Sequence, residues 1–321
     1  MTTLDGRNLF SGKALAALLA VYLVWGSTYL AILLAIESLP TFSMAGVRFL
    51  IAGAVLYAWG RWRGGARPER RHLLPALVIG GLLLLGGNGL VVWAEHRIPS
   101  GITALLIATE PLWVAILLPF FKAGKSPGFR TFAGIGAGLA GVFVLVAGKG
   151  LGGGAVDPVG VIGVIAASAF WAAGSLYTLR AATPASPWIS SGIQMLAGGA
   201  LLAMTGLVTG EWSRFEPSQV TGRSLAAFLY LVIFGSIVAF TAYTYLLRNV
   251  RPTVVSTYAF VNPIVAVILG WAFVGEPLTW RVAVAGFFIL AALLAILRDE
   301  PGTKQPARIA ANGESEAPAE A

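Results

Sequence analysis

The chain has 321 residues, 57% hydrophobic and only 11% charged, with a mean hydropathy of +0.80, against roughly 25% charged in a soluble domain. Water could not solvate that surface, so a soluble enzyme or binding module is excluded. The absence of cysteine also removes disulfides and thiolate metal sites.

A helix rising ~1.5 Å per residue needs ~20 apolar residues to cross the hydrocarbon core. Ten runs reach about that length, and an all-α polytopic membrane protein of ten transmembrane helices is expected. The first, 14–36, follows Lys13 as a signal peptide would, but it is longer than a signal core and carries Trp25 and Gly26-Ser27-Thr28-Tyr29. The second, 41–61, holds Arg48 between Gly46 and Gly53-Ala54. The third, 73–93, contains Gly86-Gly87-Asn88-Gly89 and is followed by Glu95, His96 and Arg97. The fourth, 100–121, carries Ala108-Thr109-Glu110-Pro111 and Trp113, and the fifth, 129–147, has Gly134 and Gly138 at GxxxG spacing.

A glycine-rich joint within 148–157 separates these from a second set. The sixth run, 158–180, carries Trp171 and Gly174-Ser175-Leu176-Tyr177. The seventh, 187–209, has Gly192-Ile193-Gln194 with Gly199-Ala200. After the eighth, 223–247, the ninth at 253–273 holds Tyr258 and Asn262-Pro263, and the tenth is 280–297. The tail, 298–321, is polar, proline-bearing and reads as disordered.

The two sets repeat one another. Gly26-Ser27 corresponds to Gly174-Ser175, Gly46 and Gly53 to Gly192 and Gly199, Glu110-Pro111 to Asn262-Pro263, and Gly124 to Gly275, at a spacing that drifts by only a few residues. An odd number of crossings per copy inserts the second copy upside down, the inverted-topology repeat of secondary transporters. Domains are therefore expected at 14–147 and 158–297, with an N-terminal segment, 1–13, a joint and a tail outside them.

Charge placement gives the topology. Arg61, Arg63, Arg67, Arg70 and Arg71 crowd one loop, while the opposite face carries Arg97, Lys149, Arg214, Arg223 and Arg281 singly. The positive-inside rule puts both termini in the cytoplasm. The net charge of +8 is thus a topology signal, and nucleic acid is not an expected partner.

Polarity surviving inside the bilayer marks the candidate site, because a mid-membrane charge is costly unless paired or solvated. Arg48 and Glu110 are such charges. Arg48 could hold an anionic group or snorkel outward; Glu110 could titrate, bind an amine or pair with Arg48. Their counterparts, Gln194 and Asn262, are amides that donate and accept without charge. Pro111 and Pro263 are expected to interrupt their helices at matching depth and free carbonyls there. Asn88 reads either as a ligand contact or, more simply, as an interhelical hydrogen bond. Trp25, Tyr29, Trp113, Trp171, Tyr177 and Tyr258 could wall a cavity suited to aromatic or cationic groups. Glu95 and His96 read as an outer gate or a proton-entry point or, more simply, as solvated interfacial charges. A membrane-embedded enzyme is disfavoured: His72 and His96 sit at segment ends, and Asp5, Asp157 and Asp299 lie outside the spans, so no metal cluster or catalytic dyad forms within them. No cofactor or metal is expected.

Val24-Trp25-Gly26-Ser27-Thr28-Tyr29, Arg48-Phe49, Gly87-Asn88-Gly89-Leu90 leading to Trp93-Ala94-Glu95, Pro99-Ser100-Gly101, Pro111-Leu112-Trp113 and Gly275-Glu276-Pro277-Leu278-Thr279 together resemble the EamA family of the drug/metabolite transporter superfamily. The resemblance implies a ten-helix inner-membrane permease of two EamA repeats that exports amino acids, other metabolites or toxic compounds. It also implies that the first four helices of each repeat surround a central cavity while the fifth lies outside it. The chain departs from the family pattern at Glu110, where an uncharged residue is usual.

The expectation is a secondary active exporter working by alternating access, with a small-molecule substrate, the lipid bilayer as surroundings and protons as the candidate coupling ion. A passive facilitator or channel and a lipid-carrier flippase remain as alternatives. The sequence leaves the oligomeric state open.

Overall fold

In a computed structural model of the chain, residues 12–117, 119–120, 129–146, 156–249 and 258–299 are described, and every regular element among them is helical. The N-terminal segment to residue 11, the loop with Lys122, Gly124 and Lys125, the glycine joint and the tail from residue 300 lie outside the described residues, as do the side chains of Pro111 and Arg130.

The helices are α1 (Gly12–Ile36), α2 (Thr41–Trp62), α3 (Arg70–Ala94), α4 (Ser100–Ile107), α5 (Glu110–Leu117), α6 (Phe129–Val146), α7 (Pro158–Thr178), α8 (Pro187–Val208), the short α9 (Glu211–Arg214), α10 (222–249), α11 (Tyr258–Val274) and α12 (Trp280–Asp299). Of these, α1, α2, α3, α7, α8 and α10 are long and apolar enough to cross a membrane, and shorter apolar stretches cover Ser100–Val114, Val261–Val274 and Trp280–Ala292.

Local chemistry sets the boundaries. Asp157 accepts from the Val159 N–H at 2.9 Å ahead of Pro158, so α7 starts with a carboxylate cap and a proline whose missing N–H is not needed there. The Thr221 hydroxyl accepts from the Ser224 N–H at the start of α10. After α11, Gly275 adopts φ +68, a left-handed position that glycine takes without steric cost.

The fourth sequence segment is two helices. The chain turns at Ala108-Thr109, and α5 restarts at Glu110, so that position 111 falls in its first turn, where a proline's missing N–H is not needed. The expected partner break is absent: α11 runs unbroken through Pro263. Sequence pattern alone also missed three wide π-helical stretches, Val21–Trp25 in α1, Gly81–Gly89 in α3 and Leu231–Val238 in α10.

The largest helix contact is α2 on α8, followed by α6 on α12. Several others come in couples: α1 with α10 and α3 with α7, α1 with α11 and α7 with α4 and α5, α2 with α10 and α8 with α3; α4 also packs on α11. Between lipid-embedded helices there is no hydrophobic driving force, so close packing of small residues carries these contacts. A Cβ on Gly26 would meet Val265 Cβ at 2.7 Å, and one on Gly174 would meet Leu83 Cδ2 at 2.7 Å.

Candidate functional site: a polar cavity at mid-bundle

Nine helices wall one cavity with about 930 Å³ of space between atoms, part of it open to solvent. Among the described residues its lining comes from α1, α2, α3, α4, α5, α7, α8, α10 and α11, and from neither α6 nor α12. Of the residues singled out in the sequence, Trp25, Tyr29, Arg48, Asn88, Glu110, Trp171, Tyr258 and Asn262 line it; Trp113, Tyr177 and Gln194 do not. Gln194 instead donates to the Ser190 hydroxyl within its own helix, at 3.1 Å.

Arg48 does not snorkel. It is 4% exposed; its Nε donates to the Ser236 hydroxyl at 2.8 Å, and its guanidinium lies over the Phe49 ring at 4.7 Å. Nη1 is buried with no partner. Since guanidinium offers five fixed donors and stays charged, Arg48 lines the cavity with its Nε held by Ser236 and its buried Nη1 donors unclaimed among the described residues. Glu110 begins α5, half-buried in the wall. The two charges share the cavity yet no ion pair joins them, so the direct Arg48–Glu110 pairing considered from sequence is not present.

The π-helical stretches shape this wall. Widening the turn changes which carbonyls are used within the helix and turns side chains inward, and such turns recur at functional sites. Trp25 ends the first stretch and donates from its indole N–H to the Gly235 carbonyl in the third, at 3.2 Å. Gly87 and Asn88 lie in the second, Gly235 and Ser236 in the third. Asn88 makes no interhelical hydrogen bond among the described residues, and its Oδ1 is buried without a partner, which overturns the simpler reading of it as a helix contact. The Asn262 amide behaves differently: with its nitrogen turned to the carbonyls of Tyr22 and Tyr258 it donates to both at 3.2 Å, tying α11 to the π-helical stretch of α1.

Trp25 also anchors an aromatic group. Its ring lies 5.0 Å from Tyr243 and 5.4 Å, edge-on, from Tyr258, and the two tyrosines are 5.9 Å apart, edge-on. Sequence reasoning did not single out Tyr243, Ser236, Ser168, Thr28 or Phe240. A readable signal existed for Ser236, since Gly235-Ser236 interrupts an apolar run as Gly26-Ser27 and Gly174-Ser175 do.

Glu95 is not a solvated charge. It is 3% exposed, at the end of α3 away from the arginine-rich loop. Two other acids at that end clamp helix starts, a role the sequence gave no reason to assign. Glu211 accepts from the Phe42 and Ser43 N–H groups and the Ser43 hydroxyl at 2.7–2.9 Å, and Glu276 accepts from the Ser100 and Gly101 N–H groups at 2.6 and 3.0 Å. Each places a carboxylate at the positive end of a helix dipole. No group of three or more metal-ligating side chains occurs among the described residues.

Residues 12–147 and 158–298 each match the model of the EamA-like transporter family. The chain is similar to a protein of Escherichia coli (strain K12) named Uncharacterized inner membrane transporter YedA, with 43% identity over 267 residues covering 82% of this chain and 83% of that protein. It is similar at 27% identity to Protein PecM of Dickeya dadantii, over 85% of this chain and 88% of that one. A crystal structure of another protein at 22% identity superposes with a TM-score of 0.58 over 88% of this chain and 95% of that one, a likeness of fold.

Proposed function

As a member of the EamA-like transporter family, matched in both halves, the chain is a membrane transporter, and we propose that it is a secondary active exporter of small zwitterionic metabolites, amino acids or close relatives. It lies in the bacterial inner membrane with both termini in the cytoplasm, crosses it ten times as two inverted five-helix repeats, and works by alternating access coupled to protons. The observation that carries the substrate class is the unpaired coexistence of Arg48 and Glu110 in one cavity. A buried cation and a carboxyl left unjoined are complementary to a ligand with a carboxylate at one end and an ammonium at the other. Nη1 of Arg48 would take the carboxylate, Glu110 and Asn88 Oδ1 the ammonium, and Trp25, Tyr29, Tyr258 and Trp171 the remainder.

The topology rests on charge placement and on the coupled helix contacts. Contacts that recur when α1 is exchanged for α7, and α3 for α10, are what two halves related by a two-fold axis would make. Alternating access needs substrate or proton to bind the two states differently, and Glu110 is the cavity group able to take a proton.

The test is uptake of a labelled amino-acid panel into everted membrane vesicles, with and without a collapsed proton gradient, for wild type and Glu110→Gln. Gradient-driven uptake lost in the variant supports the proposal. Flux indifferent to the gradient marks a passive facilitator, and no uptake above empty-vector vesicles removes amino acids as the substrate.

A further inference from the structure

Glu95 is the buried acid that the cavity does not use. It follows the last residue of α3, its own N–H donating to the Val91 carbonyl at 3.1 Å, where the chain turns back towards α4. The chain around it is largely buried, with His96 and Arg97 turned out. Every residue from Ser100 to Leu106 is buried, and Ile98 (2%), Ala35, Val92 and Ala94 (each 0%) close in around it.

Within that packing neither carboxylate oxygen of Glu95 has a hydrogen-bond partner among the described residues. Three basic groups at that end pair elsewhere. Arg97 donates to Asp157 at 3.1 Å and stacks on Trp93 at 4.7 Å, His96 Nε2 meets the Thr41 hydroxyl at 2.7 Å, and Arg223 pairs with Glu37 at 3.5 Å. A second acid, Glu276 from the loop before α12, lies within electrostatic reach of Glu95, and among the described residues the Leu33 backbone of α1 is the one polar group that approaches its carboxyl. Tyr29, in the cavity wall, lies within electrostatic reach of both Glu95 and Glu110. The Ser100 hydroxyl is likewise buried without a partner.

An ionised carboxylate here would have exchanged its water for at most the Leu33 backbone, with no cation, beside another negative charge. Such a group takes a proton instead. We propose that Glu95 is a proton site that seals the Ser100 end of the bundle: it is neutral in this closed arrangement, and losing its proton favours the arrangement in which that end opens to water. On opening, the hydrated carboxyl gives its proton to solvent on that side, and closure requires one back. The free-energy coupling is the difference in proton affinity between the two arrangements. Because it presumes alternation between two states, this inference rests on the transport reading above.

The absence of cysteine makes a direct test simple, since Ser100→Cys puts a single thiol in the seal at a position that is 0% exposed. Its rate of labelling by a hydrophilic maleimide is followed against pH in lipid nanodiscs, without substrate, with residue 95 as Glu or as Gln. The thiol's own ionisation raises the rate with pH in both, so the Glu/Gln ratio of rates reads opening alone. The proposal requires that ratio to rise with pH by about tenfold or more, one pH unit of proton release being a tenfold change in population, while Glu95→Gln stays closed throughout. A ratio flat across pH overturns it.

Should Glu95→Gln not purify as a monodisperse protein, Glu95→Asp replaces it. A protonated-carboxyl infrared band that shifts between wild type and Glu95→Asp supports the proposal, and an unshifted band overturns it. No substrate enters these measurements, so they stand if the amino-acid assignment fails. A flat ratio beside intact, gradient-driven transport overturns the role of Glu95 alone.

Discussion

Gly46 of α2 and Gly199 of α8 face one another so closely that a Cβ on either would lie 2.9 Å from the carbonyl oxygen of the other. Gly53 and Gly192 repeat the arrangement one helical stretch along, at 2.9 and 3.0 Å. In sequence Gly46 is the counterpart of Gly192 and Gly53 that of Gly199, so each glycine packs against the counterpart of the other. That exchange supports the inverted-repeat relation proposed above.

Substituting alanine for Gly46 or Gly199 therefore presses a methyl group into backbone that cannot rotate away. We expect a loss of about 1–3 kcal/mol, read as a lower thermal midpoint in detergent. Gly136→Ala, where nothing lies within 4 Å, is the control and should be neutral or slightly stabilising. Equal effects at the two kinds of site would contradict the close crossing.

Gly270 keeps the α4 clamp in place, since a Cβ there would lie 2.3 Å from Glu276 Oε2. Gly270→Ala should displace the carboxylate and expose the Ser100 and Gly101 N–H groups. Its destabilisation should match that of Glu276→Ala, about 1–2 kcal/mol by the scale of lost helix caps. Because both changes remove one interaction, the double variant should be little worse than either single one; additive losses in thermal midpoint would argue that Gly270 acts through something else.

Asp157 sits outside the spans, where the Val159 N–H, and then Arg97, hold its carboxyl below the ordinary aspartate value. A pKa depressed in the folded state gives stability that is present above the unfolded value and lost as pH falls through the folded one. The thermal midpoint of wild type should thus fall towards that of Asp157→Asn on acidification and exceed it at neutral pH. A constant gap between them down to strongly acid pH would contradict the cap.

The helical membrane architecture was legible because the bilayer imposes a length on apolar runs, and the positions of Arg48, Glu110, Asn262 and Trp25 were legible because a polar or large residue in a spanning helix must go somewhere. Other features depend on three-dimensional packing. The π-helical stretch of α3 has no periodicity of its own, and Asn88 reads as a packing residue until its place in the cavity lining and its unpartnered oxygen are seen. Pro111 and Pro263 look alike in sequence, yet α4 and α5 separate at the first while α11 continues through the second. Gln194 stands opposite Arg48 in the repeat but bonds within its own helix, because nothing in its side chain forces it towards the cavity. Glu95 looked like an interfacial charge since burial of a helix end depends on neighbours from distant segments.

The central claim is that Arg48 and Glu110 hold the two ends of one zwitterion, and binding of matched ligands to purified protein tests it most directly. A transported amino acid, its carboxamide and its deaminated analogue are compared on wild type, Arg48→Met and Glu110→Gln. Wild type should lose about 10–100-fold in affinity for the carboxamide, the worth of a charge-assisted hydrogen bond, and Arg48→Met should bind acid and carboxamide alike, with the deaminated analogue showing the same pattern at Glu110→Gln. Equal binding of acid and carboxamide by wild type, or the same discrimination persisting in Arg48→Met, would contradict it.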